Sequence, residues 1–285
     1  MKTIGVVANC GKAKAAEVLA RLKIKADSLG LRLLPDPDTA DLLRIPSCGP
    51  AREVLRTVDI VMVLGGDGTM LRAARELEGR DIPVIGVNLG SLGFMTSVTE
   101  DRLEHAMDCL VAGKYSTSVR AVIDCAVFRG NVELGRYRAL NDVVLSSVQS
   151  RVVTLRMTVD SEEVGDFVCD GLVISTPTGS TGHSLSAGGP ILMPSVRGLV
   201  TSLICPHTLS TRPLVIPDDA VISVEVVHRS LGAKLAVDGQ IGQDLDVGDR
   251  IEARRSRTGV RLIHLPGQSY FALLRQKLHW RGSNV

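Results

Sequence analysis

Asp59-Ile60-Val61-Met62-Val63-Leu64-Gly65-Gly66-Asp67-Gly68-Thr69-Met70-Leu71-Arg72-Ala73-Ala74-Arg75-Glu76-Leu77 reads as an apolar strand, a glycine turn and a helix in direct succession. Residues 60–64 are apolar without alternation, the pattern of a strand covered on both faces. A strand that feeds a helix through such a turn aims backbone N–H groups and a helix N-terminus at an anion. Asp67 is the one carboxylate inside the turn.

Outward from this point strand and helix alternate. Thr3–Ala8 and residues 31–34 read as short apolar strands. Between them, residues 12–29 carry Ala16, Leu19, Ala20, Leu22 and Ile24 among charges, which predicts an amphipathic helix. Pro35-Asp36-Pro37-Asp38 ends the second strand, and residues 39–51 have no period and are predicted as a loop. Residues 82–87 supply the next strand. The alternation predicts a parallel sheet that takes its ligands at the strands' carboxyl ends, where Asp67 and Asn88 both fall. Asn88-Leu89-Gly90-Ser91-Leu92-Gly93-Phe94 is a second glycine-punctuated loop, and Thr99-Glu100-Asp101 caps a helix predicted to run to about residue 110.

From residue 116 the pattern changes to successive strands, 120–128 and 132–138 around the hairpin signal Arg129-Gly130-Asn131, then 143–145, 152–159, 172–174, 214–216, 221–227, 234–237 and 250–254. This part is predicted to be all-β. Residues 269–280 read as an amphipathic helix on Phe271, Leu273, Leu274 and Leu278.

Composition removes several classes of function. The 285 residues are 45% hydrophobic with a net charge of +2, which fits two folded domains and neither a disordered chain nor a basic nucleic-acid binder. Aromatics are 3% of the chain, too few for base-stacking platforms, and the apolar runs are too short to span a bilayer, so no nucleic-acid and no membrane partner is expected. The first residues enter directly as a strand without a leader pattern, giving a cytoplasmic expectation. The six cysteines are scattered without a Cys-x-x-Cys pair and read as reduced thiols.

The longest informative stretch is Asp170-Gly171-Leu172-Val173-Ile174-Ser175-Thr176-Pro177-Thr178-Gly179-Ser180-Thr181-Gly182-His183-Ser184-Leu185-Ser186-Ala187-Gly188-Gly189-Pro190. An apolar strand gives way to hydroxyls and glycines with one imidazole, a surface suited to phosphate and ribose oxygens. Asp67 in its turn acts either as an acceptor for a ribose hydroxyl proton or as a cap on the following helix. Arg72, one helical turn on, reaches phosphate or is a solvated helix arginine. Asn141-Asp142 offers a donor and acceptors to a base or ribose, or simply turns the chain. Asp238-Gly239-Gln240 is a hairpin turn on its local pattern.

Gly65-Gly66-Asp67-Gly68-Thr69, Asn141-Asp142, the stretch from Asp170 to Pro190 and Asp238-Gly239-Gln240 together resemble, in order and spacing, the four signature blocks of the NAD kinases. The first block alone is shared with lipid kinases and phosphofructokinases; the Thr-Pro-Thr-Gly-Ser-Thr block followed by Ser-Leu-Ser-Ala-Gly-Gly-Pro is specific. The resemblance implies an α/β Rossmann-like lobe over residues 1–115, a β-sandwich NAD-binding lobe over 116–267, and a C-terminal helix, 268–285, returning to the first lobe. It implies transfer of the terminal phosphoryl group of ATP, another nucleoside triphosphate or polyphosphate to the 2′-hydroxyl of the adenosine ribose of NAD. It also implies a divalent cation such as Mg²⁺, held by donor phosphates and water, and a homodimer or homotetramer.

The resemblance makes Asp67 the general base, with Gly65, Gly66, Gly68 and Thr69 facing the donor phosphates. NAD contacts carried over are Asp67, Gly68, Arg72, Phe94, Asn141, Asp142, Asp170, Thr178, Thr181, Ser184, Leu185, Ser186 and Gln240. Arg151 is the nearest candidate for a basic residue the family often carries after its Asn. Where the family usually has Ala-Tyr after the Thr181 position, this chain has Gly182-His183, so the stacking ring is an imidazole; Val168 replaces a frequent arginine. A diacylglycerol-type lipid kinase and a non-catalytic dinucleotide-binding regulator are the alternatives. The hydroxyl-rich block argues against the first and the intact Asp67 turn against the second.

Overall fold

The computed structural model describes residues 1–47, 49–90, 92–96, 98–148, 152–227 and 232–280. The chain divides into two compact units, one of residues Met1–Val119 with Val260 onward, the other of Arg120–Gly259.

In the first unit the strands are ordered Arg32–Pro35, Thr3–Ala8, Ile60–Gly65, Val84–Asn88, Val260–His264 and Ser116–Arg120, with Val98–Thr99 also paired to Val84–Asn88. The pairs from Arg32–Pro35 across to Val84–Asn88 are all parallel. Ile60–Gly65 is buried along its whole length, as its unbroken apolar run requires. The order of the first four strands reverses between Thr3–Ala8 and Ile60–Gly65, so their carboxyl ends make the crevice that such sheets use for ligands. The Gly65-Gly66 turn lies at that switch point, beside Asn9, whose N–H donates to the Leu64 carbonyl at 2.8 Å.

The helix Ala15–Ser28 buries Ala15, Val18, Leu19, Leu22 and Ala26. Ile24, expected on this face, is 70% exposed, because the 3.6-residue period set by Val18 and Leu22 turns it outward. Residues 39–51, expected as a loop, are helical at their start, in Pro37–Leu43, and meet a second helix, Ala51–Val54, at their end. The first starts at Asp36, whose side chain accepts the Thr39 N–H at 3.1 Å, with Pro37 in the first turn; Asp-Pro reads as a helix start as well as a strand stop. The C-terminal helix is Tyr270–Lys277, capped by Ser269, and it buries Leu274 while Phe271 stays 57% exposed. The first unit also takes in Val260–His264, which pairs in parallel with Val84–Asn88 through Leu262, so the chain returns before residue 268.

The second unit is two six-stranded sheets. One runs Glu162–Cys169, Val153–Val159, Ile222–Val226, Asp249–Arg255, Ile123–Arg129, Val132–Ala139; the other runs Leu214–Pro217, Gly198–Ile204, Gly171–Ser175, Asp142–Ser147, Ala233–Val237, Ile241–Leu245. Neighbours pair antiparallel. Inward side chains of both sheets, Ile123, Leu155, Val224 and Ile251 from one and Val143, Leu145, Leu172 and Leu235 from the other, form one core. This is a β-sandwich, and with the α/β first unit it gives the two-part fold expected. Glu162–Cys169 and Ile241–Leu245 were not read as strands. Both are edge strands in which apolar residues do not alternate cleanly with polar ones: Val164 and Val168 of the first face solvent beside Glu162, Glu163 and Asp166, and the second is Ile-Gly-Gln-Asp-Leu.

Candidate functional site

Around the glycine turn the first unit builds a rigid frame. The helix is Asp67–Glu76, with Gly66 as its N-cap and Asp67 as its first residue. At Gly65 a Cβ would run into the Thr69 side chain, while at Gly66 and Gly68 the Cβ position is open, which leaves the backbone accessible to a ligand. Asp67 does not cap its own helix. Its Oδ2 accepts the Phe94 N–H at 2.8 Å and its Oδ1 the Met95 N–H at 2.9 Å, tying the second glycine loop to the turn. Gly93 lies so close that a Cβ there would collide with the Asp67 carboxylate. Below it, the Asn88 amide donates to Thr96 Oγ1 at 2.9 Å and Asn88 Oδ1 accepts the Gly90 N–H at 2.6 Å. Met95 and Thr96 were not singled out in the sequence; no local motif marks a backbone donor.

Arg72 is engaged within its own unit. Its Nη2 lies 3.1 Å from Asp36 Oδ2 and donates to the Ala8 carbonyl at 2.9 Å, and its Nη1 donates to Asp38 Oδ2 at 3.2 Å. Burial pushes the Asp36 carboxyl above the usual carboxylate range, against the pull of Thr39 and Arg72. The arginine expected to be either phosphate-bound or solvated thus joins the end of Thr3–Ala8, through the Ala8 carbonyl, to the start of the helix Pro37–Leu43, through the carboxylates of Asp36 and Asp38.

In the second unit, Leu140 and Asn141 link Val132–Ala139 to Asp142–Ser147, and Asp142 stands opposite Ser175. The loop after Gly171–Ser175 folds onto them. Thr176 N–H donates to the Asn141 carbonyl at 2.8 Å and Thr176 Oγ1 to the Leu140 carbonyl at 2.6 Å. Gly179 presses on Asn141, where any Cβ would strike its backbone. The hydroxyls then divide by direction. Ser180 Oγ donates to the Pro177 carbonyl at 2.7 Å and accepts the Leu192 N–H at 2.9 Å, and Ser184 Oγ meets Ser202 Oγ at 3.2 Å. These hold the loop; Ser184, expected as a ligand contact, is fully buried. Thr181 and Leu185 are half-buried, and Gly182, His183 and Ser186 are exposed.

Two buried oxygens of this region, Asn141 Oδ1 and Thr178 Oγ1, have no hydrogen-bond partner among the described residues. Such groups are rare in folded proteins and mark places where a ligand supplies the donor. Asp142 is buried too, and burial, with the Asp238 carboxylate next in effect, pushes its carboxyl up to about 7. Asp238 and Gly239 both have positive φ and close the turn between Ala233–Val237 and Ile241–Leu245, with the Gln240 N–H on the Val237 carbonyl at 3.1 Å. Gln240 itself is exposed.

Asn141, Asp142, Thr178 and Asp238 are therefore one cluster. Asp170 is not part of it. It is exposed at the opposite end of Gly171–Ser175, whose Gly171 pairs with Ser146, so it stands roughly 17 Å along the strand from Asp142. Arg151 lies outside the described residues.

Two family models match the chain, one described as the ATP-NAD kinase N-terminal domain over residues 49–115, the other as the ATP-NAD kinase C-terminal domain over residues 140–265. The chain is 39% identical to the NAD kinase of Syntrophotalea carbinolica across 98% of its own length and 99% of that protein. It belongs to the NAD kinase family. Among solved structures it is similar in fold to yeast NADH kinase complexed with NADH, with a TM-score of 0.92 at 24% identity, covering 100% of this chain and 89% of that one. It is also similar to an NAD kinase from Archaeoglobus fulgidus in complex with ATP, with a TM-score of 0.78 at 23% identity, covering 98% and 100% of the two chains.

Proposed function

We propose that the chain is an NAD kinase that transfers the terminal phosphoryl group of ATP to the 2′-hydroxyl of the adenosine ribose of NAD. The observation that carries this reading is the Asp67 carboxylate, fixed by the Phe94 and Met95 amides in a glycine turn at the sheet's switch point. The 39% identity to the Syntrophotalea carbinolica NAD kinase over nearly the whole of both chains supports the same reaction and disfavours a lipid acceptor. In the proposed step the 2′-oxygen forms a bond to the γ-phosphorus while its proton passes to Asp67. The bond from that phosphorus to the bridging oxygen breaks, and ADP leaves with its electron pair. Both Asp67 oxygens already accept backbone N–H groups, which leaves each a further lone pair for the hydroxyl. The open Cβ positions at Gly66 and Gly68 support their placement at the donor phosphates. Gly65 serves instead to let Thr69 close onto the turn.

The unpartnered Asn141 and Thr178 oxygens and the buried Asp142 support a dinucleotide contact here, with Thr181, His183 and Ser186 on the open side of the loop. Among the described residues no three His, Cys, Asp or Glu side chains converge on a metal position, so the residues present do not fit a protein-held ion. A divalent cation would travel with the donor phosphates and water. No described helix is long and apolar enough to cross a membrane. The five described cysteines are free, which supports a reducing, cytoplasmic setting, and a homo-oligomer remains part of the proposal.

The test is NADP formation by purified protein with NAD, ATP and Mg²⁺, with polyphosphate as a second donor. Asp67→Asn is expected to lower kcat by about 10²–10⁴-fold while the protein stays folded. Turnover unchanged in Asp67→Asn removes the base assignment, and no turnover with either donor by folded wild type that binds NAD removes the kinase reading in favour of a regulator.

A further inference from the structure

Asp238 sits on a hairpin turn that local pattern alone explains, yet its side chain faces away from that role. Its Oδ2 accepts the Leu140 N–H at 2.9 Å, and its Oδ1 accepts the Asn141 N–H at 2.7 Å and the Asp142 N–H at 3.2 Å. One carboxylate thus gathers three consecutive amides from a segment 96 to 98 residues away in sequence. The Asp142 carbonyl in turn accepts the Asp238 N–H at 2.9 Å, so the turn and the segment grip each other from both sides. Leu140 and Asn141 cross from a strand of one sheet to a strand of the other, outside both ladders, and Asp142 opens the second strand, where it stands opposite Ser175. Left buried and unpaired, each would be costly. The same segment presents the unpartnered Asn141 Oδ1 and the buried Asp142 carboxyl.

We propose that Asp238 is a positioning residue for the dinucleotide: by binding the three amides of residues 140–142 it fixes the direction in which Asn141 and Asp142 meet their ligand. This rests on the reading of Asn141 and Asp142 as NAD contacts. The arrangement does two things at once. It holds the peptide, and it places a second negative charge beside Asp142, so that the two carboxylates are coupled. Ser175 stands opposite Asp142 on the Gly171–Ser175 strand, and on the Val132–Ala139 side Arg138 is paired with Asp124 at 3.6 Å. The charge acting on Asp142 is Asp238's.

The experiment compares wild type with Asp238→Asn, which keeps the size and one acceptor of the side chain, and with Asp238→Ser as a second variant should the first not fold. Hydrogen exchange of the peptide containing residues 140–142 is read without any ligand. Protection there is expected to fall in the variant while the neighbouring Gly171–Ser175 strand keeps its own. Steady-state kinetics should then show KM for NAD raised about tenfold, with KM for ATP and kcat within about twofold. The inflection of KM for NAD with pH, near neutrality in wild type, should move to lower pH once the second carboxylate is gone. Unchanged exchange at 140–142 overturns the proposal, and so does a variant whose KM for NAD and pH inflection match wild type. A wild type that makes no NADP, with exchange at 140–142 still dependent on Asp238, counts against the kinase reading instead and leaves the anchor standing.

Discussion

Asp142 is a carboxyl group that folding makes harder to ionise, and this has a direction in pH. Its ordinary value of 3.8 is raised to about 7 by burial and by Asp238. Between those values the folded chain keeps a proton that the unfolded chain releases, so this group's effect on stability worsens as pH rises through that window. Fully developed, the cost is on the order of 4 kcal/mol. Asp142→Asn removes the titration. The melting temperature of the variant relative to wild type is therefore expected to increase from pH 5 to pH 8, and a difference that stays flat across that range counts against a raised Asp142. Thr178 offers a second residue-scale contrast. Because its buried hydroxyl has no partner among the described residues, Thr178→Val should leave unfolding free energy unchanged or raise it by about 1 kcal/mol, yet raise KM for NAD several-fold, about 1 kcal/mol of lost binding. At this scale the sequence was legible in kind and not in direction. It marked the hydroxyls from Thr176 to Ser186 as one polar surface, but Ser180 and Ser184 point inward to hold the loop, and only contacts such as Leu192 and Ser202, distant in sequence, decide which way each one faces.

Among elements, the loop that carries Phe94 and Met95 and the helix that begins at Asp67 act as one piece, joined by two hydrogen bonds and by the absence of a side chain at residue 93. Gly93→Ala is expected to push the Asp67 carboxylate off the Phe94 and Met95 amides, lowering the melting temperature and lowering kcat by about 100-fold in the protein that remains folded. Wild-type kcat in a folded Gly93→Ala protein disposes of the idea. The helix Ala15–Ser28 gives a packing contrast: Leu22→Ala should cost roughly 2–5 kcal/mol and Ile24→Lys within about 0.5 kcal/mol, measured by denaturant unfolding. The same helix shows what periodicity can deliver. Its existence follows from apolar spacing, whereas the buried face depends on phase, and including Ile24 shifted that phase. The Pro37–Leu43 helix was missed because proline and aspartate were weighed as breakers when, at Asp36-Pro37, they are a cap and a first turn.

For the whole molecule, the β-sandwich unit is a continuous segment with its own core, and the α/β unit is not: it needs Val260–His264 to fill its sheet between Val84–Asn88 and Ser116–Arg120. Residues 120–259 expressed alone are expected to unfold cooperatively on heating. A chain ending at residue 259 is expected to lose the cooperative transition of the α/β unit while keeping that of the sandwich. A cooperative α/β transition retained in the shortened chain would contradict this account. The alternation of strand and helix followed by a run of strands made the two-part architecture readable early. The return of strand 260–264 to the first sheet was not, since Val260-Arg261-Leu262-Ile263-His264 has the composition of a strand for either sheet, and only its pairing through Leu262 assigns it. That return sets an order in time. On a ribosome, the segment bearing Asp67 emerges long before the strand that completes its sheet, and the entire sandwich is made in the interval. The glycine turn therefore waits, half-framed, for the last part of the chain, and a nascent polypeptide stalled before residue 260 would hold every signature block and still have no finished place to use the first of them.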